Sequence, residues 1–235
     1  MKRTCVRAMI FGALCSVVLA ADVEAQGNWQ PGDFGSIRFR AGLFTPEGDS
    51  RYWDEKFADF TGSADSFRDF TWGLDYMWRI SQSSGVLFGA SFFNGKTTQS
   101  YIDWVDADGR DISHTTNLQL WDLTAAFVWR IGRGGLVPYV GLGGGFQNWT
   151  LEESGSFIDF GDPDLPIIFA GYRSSGWTYE VFGLAGIDVP LGYRWSFFLE
   201  GRYRYSEDEL ADDFSGFGTI DLSGTELTAG FSWNF

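Results

Sequence analysis

Beyond residue 25 this chain contains no cysteine, because its only two, Cys5 and Cys15, fall within the first 25 positions. That excludes disulfides and thiol chemistry from the body of the protein. Histidine is almost as scarce, with His114 alone. There is no Gly-x-Ser-x-Gly, no phosphate-binding glycine loop and no pair of histidines at metal-ligand spacing, so no cofactor, no metal and no enzymatic activity is expected. Nor does any stretch approach the roughly 18 to 20 consecutive apolar residues of a spanning helix. Positive charge is thin too: 17 basic residues stand against 31 acidic ones. A chain of that sign, with no basic stripe, repels nucleic acid.

What is present begins with a secretory signal layout: Lys2, Arg3 and Arg7, then apolar Ala8 to Leu19, then small residues ending at Ala25. Cleavage after Ala25 leaves 26–235 as one domain; Val18-Leu19-Ala20 offers a second cut, after Ala20. Leu14 is too large for the position before a lipid-modified cysteine. Without residues 1–25, 14 basic and 29 acidic residues remain, a net charge of −15.

The rest alternates with period two. The last segment places Leu227, Ala229, Phe231, Trp233 and Phe235 on one side, and Glu226, Thr228, Gly230, Ser232 and Asn234 on the other. Seven earlier segments, at about 34–45, 68–80, 85–96, 118–131, 137–149, 177–189 and 195–206, repeat the pattern at the length of a tilted membrane strand. In the second, Phe70, Trp72, Leu74, Tyr76, Trp78 and Ile80 share a face; in the fourth, Trp121, Leu123, Ala125, Phe127, Trp129 and Ile131 do. The third is ambiguous, because Leu87, Phe88, Phe92 and Phe93 occupy both sides. Glycines 141, 143 and 145 of the fifth face inward, as tight curvature favours.

Short connections at 81–84, 132–136 and 190–194 alternate with long ones at 46–67, 97–116, 150–176 and 207–222. This predicts an all-β, eight-stranded antiparallel transmembrane β-barrel of the outer membrane, with periplasmic N- and C-termini and four long external loops. On that polarity Trp78, Trp129, Trp195, Trp233 and Phe235 form one interfacial belt, and Phe70, Trp72, Trp121, Tyr203 and Tyr205 the other. The competing fold is a soluble β-sandwich, which needs neither a signal nor two aromatic belts.

Charges collect on the inward parity: Arg38, Arg40, Asp75, Arg79, Asp122, Arg130, Glu180, Asp188, Glu200, Arg202, Arg204 and Glu226, six arginines and six carboxylates. An eight-stranded barrel leaves room only for side chains, and buried charges there must pair. A cross-linked plug is therefore expected, with a charged conduit as the alternative.

His114, next to Ser113, is the one candidate for a catalytic base; a solvated loop histidine is the plainer expectation. Asp106-Ala107-Asp108-Gly109-Arg110-Asp111 resembles a calcium loop, but Trp104 and Thr115 stand where ligands belong, so a hairpin tip is expected. The four long loops hold 21 acidic residues against Arg51, Lys56, Arg110 and Arg173. Interleaved aromatics such as Tyr52, Trp53, Phe57, Phe157, Phe214 and Phe217 either pack on one another or form a contact surface.

Pro138-Tyr139-Val140-Gly141, the string Phe198-Leu199-Glu200-Gly201-Arg202-Tyr203 and the terminal Trp233-Asn234-Phe235 resemble corresponding strands of the small outer-membrane β-barrel family, which includes OmpA/OmpX-type and opacity-type surface proteins. The resemblance implies insertion by the outer-membrane assembly machinery, with Phe235 as the assembly signal, and contact with membrane lipid and lipopolysaccharide. Divalent cations or a surface ligand at the loops are further expected partners. Such families include adhesins, envelope stabilisers, solute ports and lipid-modifying enzymes, and fold alone does not choose. The expected function is non-enzymatic envelope structure or surface recognition. A narrow port for small hydrophobic solutes is the alternative, followed by a lipid-modifying enzyme using His114.

Overall fold

The computed structural model describes residues 35–132 and 135–235. The signal segment and its cleavage site lie outside the described residues. Eight strands close into an antiparallel barrel: β1 (Gly35–Pro46), β2 (Asp69–Arg79), β3 (Ser84–Val105), β4 (Asp111–Arg130), β5 (Val137–Ile158), β6 (Ile167–Pro190), β7 (Trp195–Tyr205) and, after a short hairpin β8 (Glu207–Glu209)/β9 (Thr219–Asp221), β10 (Gly224–Asn234). Sequence neighbours pair throughout, and β10 closes the ring on β1 with Phe39 opposite Phe231 and Ser36 opposite Asn234. Both ends of the sheet therefore lie at the end carrying the short turns. Closure there demands a glycine, since a Cβ on Gly230 would come within 2.6 Å of the Phe198 ring.

The exterior is built for hydrocarbon. Phe39, Leu74, Leu123, Phe127, Leu142, Val181, Leu199 and Phe231 all point outward and are exposed. At the hairpin end of this apolar zone Trp72, Phe92 and Trp121 make a continuous aromatic row, with ring centroids 6.2 and 4.5 Å apart. Phe146 and Tyr179 continue it at 5.2 Å, and Tyr203 and Tyr205 are exposed on β7. At the turn end Trp78, Trp129, Trp195, Trp233 and Phe235 are exposed as a second row, and Phe235 packs on Trp233 and Tyr76. A transmembrane barrel has this double girdle around an apolar band.

One ambiguity of the sequence is resolved and one expectation is revised. Parity in β3 resolves with Leu87 and Phe93 inward and Phe88 and Phe92 outward. More consequentially, β3 to β6 run 20 to 24 residues, whereas β1, β2, β7 and β10 have 11 or 12. Pairing continues past the apolar band through Ser100↔Ser113, His114↔Gly155 and Ile158↔Ile167. Segments such as Thr97-Thr98-Gln99-Ser100 read as loop because they lack an apolar outer face. Above the membrane no such face is needed, and threonine suits a half-buried strand.

The result is a four-stranded half-wall rising above one side of the barrel. Its inner face bears Leu118, Leu120, Trp149 and Leu151, all fully buried. The connection after β1 forms helix α1 (Arg51–Asp59), which follows Ser50 and carries Arg51 and Glu55 paired at i,i+4, 2.6 Å apart. Tyr52 and Trp53 of α1, Phe67, and Leu210, Phe214, Ile220 and Leu222 from the connection after β7 pack against that inner face. Trp53 and Phe57 stack at 5.5 Å, Trp53 meets Phe67 at 5.1 Å, and its indole Nε1 donates to the Asp221 carbonyl at 2.9 Å.

Candidate functional site: the charged lumen and its cap

All twelve inward charges expected from the alternation face the lumen, and their geometry is specific. Arg204 is the hub toward the hairpin end: its Nη1 lies 2.6 Å from Asp122 Oδ2 and 3.9 Å from Glu180 Oε2, and its Nη2 lies 2.6 Å from Glu226 Oε2. Arg40 pairs with Glu226 and, at 3.3 Å, with Asp75. Arg202 reaches Glu200 at 2.5 Å and Asp75 at 3.3 Å. Toward the turn end Arg38 lies 3.5 Å from Glu200 and 3.8 Å from Asp188, and Arg130 is 3.4 Å from Asp188. Arg79 donates to Asn234 Oδ1 at 2.5 Å.

These strands supply the network because residues i, i+2 and i+4 share a face: β7 contributes Glu200, Arg202 and Arg204; β1, Arg38 and Arg40; β2, Asp75 and Arg79. Neutral groups complete it. Ser91 Oγ and Gln147 Nε2 donate to Asp122 at 2.8 and 2.9 Å, and Tyr139 hydroxyl donates to Glu200 at 2.8 Å while accepting from Arg38 at 2.7 Å. Arg38 also lies over the Phe198 ring at 3.9 Å, and Arg204 over Phe44 at 4.4 Å. Planar guanidiniums suit such multiple contacts. The cavity lined by Arg40, Asp122, Glu180, Arg202 and Arg204 measures about 10 Å³, as does one lined by Arg38, Arg130, Tyr139 and Asp188, room for about one water each.

An apolar inner patch that the charge pattern does not announce packs beside the charges: Met77, Leu87, Ala126, Val128, Tyr139, Phe182 and Leu184. It explains two glycines of β5, since a Cβ on Gly143 would meet Ala126 and Phe182 and one on Gly141 would meet Leu184. Those two glycines accommodate packed side chains.

Beyond the apolar cap lies a second polar cluster that sequence reasoning missed. Lys56 of α1 is paired with Glu153 of β5, which also accepts from Tyr52 hydroxyl at 2.7 Å. His114 Nε2 sits 3.4 Å from Lys56 Nζ, with its ring between Phe60 and Phe157, centroids at 4.5 and 4.8 Å. Burial and the Lys56 ammonium hold the His114 pKa down at about 4, whereas burial pushes the Tyr52 phenol up and the Lys56 amine down. His114 is buried, not solvated, because the loop expected around it is paired strand. Ser113 points to the opposite, exposed face, so the Ser113–His114 pair is not assembled.

The Asp106–Asp111 string is a hairpin tip. Asp106 Oδ1 accepts the amides of Asp108 and Arg110 at 2.8 Å each, and Gly109 takes φ +76°. Among the described residues no group of three or more metal-ligating side chains converges.

No family model matches this chain, and no curated protein matches it at the level searched. Solved structures with a similar course include Neisserial surface protein A (12% identity, TM-score 0.48, covering 86% of this chain and 96% of that one). Another is the attachment invasion locus protein Ail of Yersinia pestis (18%, 0.44, 86% and 97%). The outer membrane protease OmpT of Escherichia coli is a third (9%, 0.49, 88% and 98%). At such identities no functional residue is carried over from any of them.

Proposed function

We propose that this chain is a non-enzymatic outer-membrane barrel, closed to solutes by its own ion pairs, whose acidic and aromatic hairpin end is displayed outward for envelope structure or surface recognition. The observation that supports it is the lumen. From Asp188 to Glu226 the interior is bridged wall to wall by arginine–carboxylate contacts and roofed by the Trp53–Trp149 layer. A water-filled pore has no reason to commit five guanidiniums to ion pairs, or to bury four of them. In this reading the strand termini face the periplasm, Phe235 serves assembly, and lipid with lipopolysaccharide surrounds the wall.

Planar-bilayer recording tests the proposal. Refolded protein is expected to add no stable conductance step above leak; a steady large single-channel current would overturn closure and favour the port.

A further inference from the structure

The proposed function does not say what the far ends of the two tall hairpins, β3–β4 and β5–β6, would recognise. They touch: Trp104 and Phe160 rings are 5.8 Å apart, and Tyr101 meets Phe160 at 6.4 Å. Around this contact Ile102, Trp104, Phe160, Ile167 and Ile168 are exposed, and Phe169 is 85% exposed. Lipid does not cover them. Ten residues along β6 separate Phe169 from Tyr179 in the aromatic belt, about 33 Å of strand at 3.3 Å per residue, or about 25 Å of height at the usual barrel tilt.

An apolar patch standing clear of the membrane in water marks an interaction surface. Its charge then selects the occupant. Asp103, Asp106, Asp108 and Asp111 surround one hairpin tip with Arg110 the one cation there, and Arg110 is already 3.5 Å from Asp108. Asp159, Asp162 and Asp164 surround the other, with no cation between positions 157 and 172. Each tip carries −3. A second copy would bring −6 against −6, and lipopolysaccharide phosphates carry the same sign, so both are repelled. A cationic polypeptide segment with alternating or clustered apolar side chains satisfies both features at once: its lysines or arginines meet the carboxylates and its apolar groups cover Trp104, Phe160 and Phe169.

We infer that the joined tips of the β3–β4 and β5–β6 hairpins are a docking surface for a basic, apolar-anchored polypeptide. This rests on the outward display of that end. The test uses the full mature chain in zwitterionic phosphatidylcholine nanodiscs, empty discs as blank, and a seven-residue peptide alternating lysine and leucine. Lysine–serine and glutamate–leucine peptides of equal length serve as controls. The lysine–leucine peptide is expected to bind at least tenfold tighter than either control. Binding should weaken at least tenfold in W104S/F160S/F169S and in D106N/D108N/D162N/D164N, with barrel melting unchanged in both. Equal binding of the control peptides, or less than a twofold loss in either variant, overturns the inference. Biotin–maleimide labelling of an Asp108→Cys variant on intact cells reports separately on outward display: absence of label refutes the proposed orientation whatever the peptide does.

Discussion

Arg204→Met removes the hub of the lumen while keeping most of its volume. Three carboxylates lose a paired cation: Asp122 and Glu226, each 2.6 Å away, and Glu180 at 3.9 Å. Arg204 and these acids are all nearly inaccessible, so solvent does not screen the loss. Removing one partner of a buried pair costs about 3–5 kcal/mol. Compensation remains, since Glu226 keeps Arg40 and Asp122 keeps Ser91 and Gln147. The expected cost is therefore at the lower end, about 3 kcal/mol. Urea titration of the barrel folded in liposomes, followed by the fluorescence of the wall tryptophans, measures it. A second variant apportions it: Glu180→Gln in the Arg204→Met background should recover at least about 1 kcal/mol, a coupling expected of contacting charges. A loss below about 1 kcal/mol, the range of solvated ion pairs, would mean that water already screens these carboxylates, and the reasoning that closes the lumen would fail.

Other consequences are open to measurement. His114 is held neutral by burial and Lys56, so protonation opposes docking of α1; its contribution is complete above pH 6.5 and is lost as pH falls toward about 4. At about 1.4 kcal/mol per pH unit that is at most about 3 kcal/mol. Proteolysis of the α1 segment should rise across that window and become pH-independent in His114→Phe; unchanged cleavage in the wild type would contradict it. Trp53→Ala should cost about 3–5 kcal/mol of cap stability by leaving a cavity, exposing the α1 segment to protease while the barrel melts as before. Ala125→Arg, outward on β4 midway between Trp121 and Trp129, should destabilise by about 2–4 kcal/mol in a bilayer, whereas Ser113→Arg, outward on the same strand above the belt, should be neutral; equal effects would place the membrane elsewhere.

The membrane zone was legible in the sequence because two independent constraints reinforce each other there. Lipid demands an apolar outer residue at every second position and the narrow lumen demands a polar or small inner one, so Trp72, Trp121 and Arg202 fall out of parity alone. Above the membrane the first constraint vanishes. Outer positions such as Ser113, Thr115 and Ser154 become polar, the alternation fades to Leu118, Leu120, Trp149 and Leu151 on the inner side, and strand reads as loop. That inner half-pattern was the available signal for the half-wall. The pairing of Lys56 with Glu153 joins residues 97 positions apart, and nothing local in either neighbourhood marks it. The apolar lumen patch of Phe182 and Leu184 was hidden for a different reason: on β5 these two side chains face Gly141 and Gly143, whose contribution is space.

The claim beneath all of this is that acyl chains wet the barrel wall while the cap tryptophans stay dry inside protein. Single-tryptophan variants retaining either Trp129 on the wall or Trp53 in the cap, folded in bilayers of brominated phosphatidylcholine, decide it. The account predicts strong bromine quenching of Trp129 and none of Trp53; quenching of Trp53 with Trp129 untouched would contradict it.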